Sequence, residues 1–197
     1  NDFAGARNGM YSITGYTCKK LIPWNRIWTL SPYVDNIGET IYFFPIIRLS
    51  DLYLMCAEAL NESKSQPDDE VYQYLQPIRS KAGLDKETGS LVQTWSKYSS
   101  NPTKPITKVG LRDIIRQERM IELSFEGQRY WDLKRWMLAE EYLNRPIRGW
   151  NVTGITESDY YLETYIYQRK FATRDYFWPI RQKSLDSNHK LVQNMGW

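Results

Sequence analysis

The chain has 197 residues and a net charge of +3, from 26 Lys and Arg against 23 Asp and Glu. That length suits one domain with its own core, and without a block of like charges a dedicated nucleic-acid surface is not expected. No stretch of about 18 apolar residues occurs, so none reads as a membrane span.

The first ten residues, NDFAGARNGM, carry neither a basic n-region nor an apolar h-region, and the chain does not start with Met. This fits a processed chain or a fragment whose targeting signal lay upstream. Eight Trp and fifteen Tyr exceed what one core absorbs, so stacking surfaces outside the core are expected.

Residues 1–44 read as an irregular, aromatic-rich lead-in, with strands expected around 11–16 and 40–44. Helix signals begin after Pro45. Leu49, Leu52, Tyr53, Cys56 and Leu60 trace an amphipathic stripe over about residues 46–61. Pro67, Asp68 and Asp69 mark the start of a second helix, whose stripe is Val71, Leu75, Ile78 and Ala82 and whose end is capped by Gly83. The two helices, joined by a short polar turn, form an αα-hairpin like one unit of a tetratricopeptide array.

Residues 85–108 read as a linker containing Trp95 and Tyr98. A second helical hairpin is expected over 111–136, with Gly110 as N-cap, Ile114, Ile121 and Phe125 on one face, and Gly127 as a left-handed C-cap between its helices. Tyr130, Leu133 and Met137 stack on its second helix. Residues 145–159 read as a loop carrying Trp150, 160–167 as an aromatic strand, and the tail as extended and turn-rich.

Chemistry is sparse. Glu118 and Glu122 share a helix face, but Arg112, Arg116 and Arg119 surround them, and Asp132 lies near Arg129 and Arg135, so ion pairs are the expected role. His189 is the single histidine, in a polar turn with no second ligand nearby, so no metal or other cofactor is expected. No GxSxG, phosphate-binding glycine loop or dinucleotide fingerprint occurs, and a non-catalytic role follows. Cys56 lies on the apolar stripe and reads as a small buried hydrophobe, and the spacing leaves Cys18–Cys56 pairing open. Binding is better supported. Trp24, Trp28, Tyr33, Trp95, Tyr98 and Trp150 all fall in expected loops, where flat rings can stack on the C–H-rich faces of sugars.

Four segments carry a resemblance: RLSDLYLMCAEALNES at 48–63, IRSKAGL at 78–84, LRDIIRQERMIELSFEGQRYWDLKRW at 111–136, and FWPIRQKSLDSNHKLVQNMGW at 177–197. Their order and spacing resemble the C-terminal half of the SusD/RagB family. The resemblance implies a mainly all-α fold of tetratricopeptide-like hairpins with long irregular loops and a few short strands. It is expected as a single domain over 1–197, with hairpins over 45–144 and a loop-rich tail over 145–197. It also implies a surface lipoprotein of Bacteroidota, held in the outer membrane by an N-terminal lipid anchor upstream of this chain. Such a protein captures glycans for a SusC-like TonB-dependent transporter. A scaffold that docks a protein partner and has no sugar site is the alternative, and the ligand class could extend to peptides. The family has no motif that locates its binding aromatics, so Trp24, Trp28, Tyr33, Trp95 and Trp150 stand as candidates on loop position alone. FWPI replaces the tyrosine–proline–isoleucine–proline run common among relatives.

Overall fold

Apolar residues run around much of the first helix, so its neighbours decide which of them are covered. The computed structural model describes residues 12–18, 20, 45–84 and 89–197. There α1 (Leu49–Ser63) buries Leu54, Ala57 and Asn61 rather than the expected stripe. Tyr53 and Leu60 flank that face half-buried, whereas Leu49, Leu52 and Cys56 are exposed. Periodicity gives the width of a stripe, and the placement of α2 and α4 against α1 sets its rotation. Cys56 is therefore no core residue, and both cysteines are free thiols.

α2 (Asp69–Lys81) starts as the sequence indicates. The Asp68 side chain accepts from the Val71 amide at 3.3 Å. Gly83, at φ +74°, ends the helix in a Schellman motif: Leu84 N–H donates to the Arg79 carbonyl at 3.0 Å and Gly83 N–H to that of Ser80 at 2.9 Å. The expected linker contains α3 (Leu91–Tyr98), started by a capping box of Ser90 and Gln93, and a 3₁₀ turn at Lys104–Ile106.

α4 (Lys108–Glu122) begins before Gly110. Its N-cap is Thr107, whose hydroxyl accepts from the Gly110 amide at 3.1 Å. Gly110 sits in the first turn because the 3₁₀ turn passes over it: a Cβ there would lie 2.1 Å from the Lys104 carbonyl oxygen. Gly110→Ala, which ordinarily stabilises a helix by about 1 kcal/mol, is therefore expected to destabilise this one by about 1–3 kcal/mol, read as a lower urea midpoint.

Leu111, Ile114 and Ile115 of α4 meet Leu54, Ala57, Val71, Leu75, Ile78, Leu91 and Leu123 in the main core. Ile121 and Phe125 are exposed rather than buried with Ile114, and Phe125 lies beyond the end of α4 at Glu122. Phe125 and Gly127 both adopt left-handed backbone, so Gly127 has the expected conformation without being the residue that ends the helix.

The charges on α4 do pair, but across helices. Arg79 donates to Glu118 at 2.8 Å and Arg119 to Asp51 at 2.9 Å. Arg48 bridges Glu122 and Glu126, both at 2.8 Å, and donates to the Glu122 carbonyl at the helix end. Burial pushes the Glu122 carboxyl up, but hydrogen bonds from Arg48 and Ser50 and the nearby Lys81 charge hold it below the usual glutamate range. The Arg112 hydrogen bond likewise lowers Glu62, against burial. Depressed carboxylates stabilise the fold above their unfolded pKa of about 4.3, and that stability is lost as pH falls through the folded value. The urea midpoint is expected to drop as pH falls below about 5, and Glu122→Gln to flatten part of that slope. An unchanged slope would remove Glu122 from the account.

The chain divides into two compact units, Pro23–Arg129 and Asn1–Ile22 with Tyr130–Trp197. α5 (Gln128–Arg135) contributes Leu133 to a smaller core with Ala139 and Phe171. The expected hairpin over 111–136 thus spans the boundary between the two units. Met137 N–H donates to the Lys134 carbonyl and Leu138 N–H to that of Leu133, a Schellman end with left-handed Met137 where glycine is usual. Met137 is consequently exposed rather than stacked with Tyr130 and Leu133.

After α6 (Ala139–Leu143), β1 (Pro146–Trp150) and β2 (Glu163–Gln168) pair antiparallel, with a bulge between Ile147 and Arg148. α7 (Glu157–Tyr160) lies between the strands, and the tail holds a 3₁₀ turn at Thr173–Tyr176 and α8 (Gln182–Ser187). Residues 12–18 form a turn rather than the expected strand. Its Thr14 carbonyl accepts from the Trp150 amide at 2.9 Å, over a buried Gly149 whose Cβ would lie 2.5 Å from that oxygen. The strand expected at 40–44 lies outside the described residues. The architecture is mainly α-helical, as expected. Among the described residues no helix is long and apolar enough to cross a membrane.

Candidate functional site

Three groups of aromatic residues stand out. The first surrounds Trp150, which ends β1 instead of sitting in a loop. Its half-buried ring lies 5.5 Å from Tyr16 and 5.5 Å from Tyr161, and Tyr161 stacks edge-on against Tyr160 at 5.2 Å. The Tyr160 hydroxyl donates to the Gly15 carbonyl at 3.0 Å, tying the turn to α7. The result is an open row of rings, with Tyr16 and Tyr161 exposed.

A second group lies on α3, where Trp95 and Tyr98 are helical rather than in a loop. Trp95 packs against the main core, with the Lys104 ammonium 5.6 Å over its ring. Beside it a groove of about 260 Å³ is lined by Thr94, Trp95, Tyr98 and Ser99. Trp95 belongs to one compact unit and Trp150 to the other. Trp24, Trp28 and Tyr33 lie outside the described residues.

No role for the third group follows from the sequence. A cleft of about 390 Å³ is lined by Tyr130, Phe171, Phe177, Trp178 and Trp197, together with Lys170, Asp175 and Pro179. This lies within the range of about 300–1,000 Å³ occupied by small-molecule sites. Backbone capture by amide side chains holds it in shape. Gln193 donates to the Ile180 carbonyl at 2.9 Å and accepts from the Ile180 amide at 2.8 Å, while Asn194 donates to the Trp178 carbonyl at 2.6 Å. The Trp197 indole N–H is shared between the Arg174 and Phe177 carbonyls, at 3.1 Å each. Trp197 is thereby fixed, while Trp178 projects into solvent.

Cations crowd these rings. The Lys134 ammonium lies 5.3 Å from Tyr130, 5.9 Å from Trp131 and 5.6 Å from Trp178, and the Arg174 guanidinium 4.8 Å over Trp197. Two sequence signals pointed here: three aromatics at 177, 178 and 197, and six Lys or Arg against two Asp over 169–190. Neither reveals that the C-terminus folds back onto 177–180.

Comparison with known proteins gives a consistent result. The model of the SusD family matches residues 4–197. Two curated relatives are SusD-like protein P2 and SusD-like protein P25 of Formosa agariphila. P2 is 31% identical over 161 residues, which are 81% of this chain and 27% of the relative. P25 is 30% identical over 141 residues, 69% of this chain and 23% of the relative. The chain spans about a quarter of the length of these relatives. Among solved structures, a SusD-like protein of Bacteroides fragilis superposes with a TM-score of 0.58 at 28% identity, covering 77% of this chain and 25% of that one.

Proposed function

The chain belongs to the SusD family, and we propose on that premise that it serves in non-catalytic capture of glycans at the cell surface. The captured glycan passes to a SusC-like TonB-dependent transporter, and a lipid anchor in the full-length protein holds the assembly at the outer membrane. The observation that carries this reading is the family match over nearly the whole chain, 4–197. Exposed aromatic rows support it, because ring faces bury the apolar side of a sugar while backbone and amide groups take up its hydroxyls. We assign ligand contact to Trp150 with Tyr16 and Tyr161, to Trp95 with Tyr98, and to Trp24, Trp28 and Tyr33 of the lead-in.

A second reading, a helical docking scaffold without a sugar site, draws on the exposed apolar side of α1, where Leu49, Leu52 and Met55 face solvent. Tryptophan-fluorescence titration against plant, host and microbial glycans separates the two. Saturable binding to one glycan is expected, weakened about tenfold, or about 1.4 kcal/mol, by Trp150→Ala. Silence across the panel, with retention on the transporter, favours the scaffold.

A further inference from the structure

We propose that the tail cleft is a second ligand site, separate from the Trp150 row, and that it takes a sugar bearing a carboxylate or sulfate. The sugar part of this inference rests on the glycan-binding reading, and the anionic part rests on the cleft itself. Its walls supply two functions at once. Tyr130, Phe177, Trp178 and Trp197 give ring faces and edges around a volume of small-molecule size. Lys134, Lys170 and Arg174 add positive charge at those same rings.

Several guanidinium groups elsewhere in the chain are neutralised by carboxylates, whereas the cations at the cleft lie beside ring faces. Arg48, Arg79, Arg112, Arg119, Arg135 and Arg148 each meet a carboxylate within 3.0 Å. Among the described residues, Lys134 and Lys170 meet none. Among the described residues Lys134 meets ring faces alone, which attract a cation without neutralising it. Lys170 lines the cleft with no partner group among the described residues.

Arg174 approaches Asp175 only to 3.8 Å, and Asp175 accepts from the Ala172 amide at 2.7 Å, so the single carboxylate of the cleft serves to close its own turn. Three cations thus face one engaged carboxylate beside ring surfaces. An anionic sugar satisfies both: its C–H face lies on Trp178, and its acid group meets Lys170 and Lys134. A neutral sugar leaves those charges unmet. A simple anion makes no use of the rings.

The test is calorimetric titration of the whole chain with three probes: trigalacturonate for a carboxylate, a κ-carrageenan oligosaccharide for a sulfate, and neutral maltotriose. At least one anionic probe is expected to bind more tightly than maltotriose and to weaken as salt rises from about 50 to 300 mM. Trp178→Ala and Lys170→Glu are each expected to reduce that affinity about tenfold or more, while Ile46→Ala, at an exposed position in the other compact unit, leaves it unchanged. Both Trp178 and Lys170 are exposed, so circular dichroism of the variants should match the parent. The two anionic probes identify which acid group the cleft prefers. Equal or tighter binding of maltotriose overturns the anionic assignment while leaving glycan capture standing. Anionic binding unaffected by Trp178→Ala and Lys170→Glu overturns the location. If no oligosaccharide binds, in this set or in the wider panel, the glycan-binding reading fails and the cleft proposal fails with it.

Discussion

Leu54→Ala is expected to lower the unfolding free energy by about 2–5 kcal/mol, whereas Leu49→Ala, on the same helix, should change it by no more than about 0.5 kcal/mol. Leu54 is 0% exposed and lies among Ala57, Val71, Leu75, Ile114 and Ile115. Truncation removes its transfer free energy and leaves a cavity that three packed helices cannot fully close. Leu49 is 61% exposed and loses little. The pair of variants tests the rotation of α1, because the sequence periodicity places Leu49 on the covered stripe and omits Leu54. Urea unfolding followed by helical circular dichroism reads both. Equal losses at the two positions would sink this placement of α1.

Breaking the Arg119–Asp51 pair should have an effect of similar size. Arg119 is 3% exposed and donates to Asp51 at 2.9 Å. Arg119→Ala leaves the Asp51 carboxylate facing a largely desolvated pocket, and such losses run to about 3–5 kcal/mol. The Asp51 side chain keeps 15% of its exposure and so some hydration, which places the expected value near the low end. Replacing both partners, Arg119→Met with Asp51→Leu, should recover most of the loss, because an apolar pair of similar volume costs no desolvation of charge. The comparison is a double-mutant cycle in urea midpoints. Additive losses, with no recovery in the pair, would show that the two charges act independently.

The starts and ends of helices were legible wherever local chemistry sets them. Asp68 caps α2 through its own side chain, and Gly83 ends it because only glycine enters the left-handed region at little cost. Where a non-local contact decides, the sequence misleads. Gly110 resembles an N-cap, but it is glycine because the Lys104 carbonyl passes over it. Met137 takes a left-handed backbone that no residue preference announces.

The candidate sites divide in the same way. Trp95 and Trp150 were recognisable as aromatic residues with possible ligand roles, but a helix and a strand edge carry them instead of loops. The tail cleft was not foreseen, because Trp178 and Trp197 are far apart in sequence. Asn194 and Gln193 bring them together by gripping the backbone at 178 and 180.

From the residues alone came the mainly helical class, the αα-hairpin of α1 and α2, the family resemblance, and the expectation that the charges of α4 pair. These depend on periodicity, capping and composition, which are properties of neighbours along the chain. The tertiary structure decided which side of α1 is buried, that Glu118 pairs with Arg79 and Glu122 with Arg48, and that Lys134 and Lys170, which meet no carboxylate among the described residues, lie beside the tryptophans of the tail cleft. Those outcomes depend on contacts between residues distant in sequence, and no local pattern encodes which distant partner arrives.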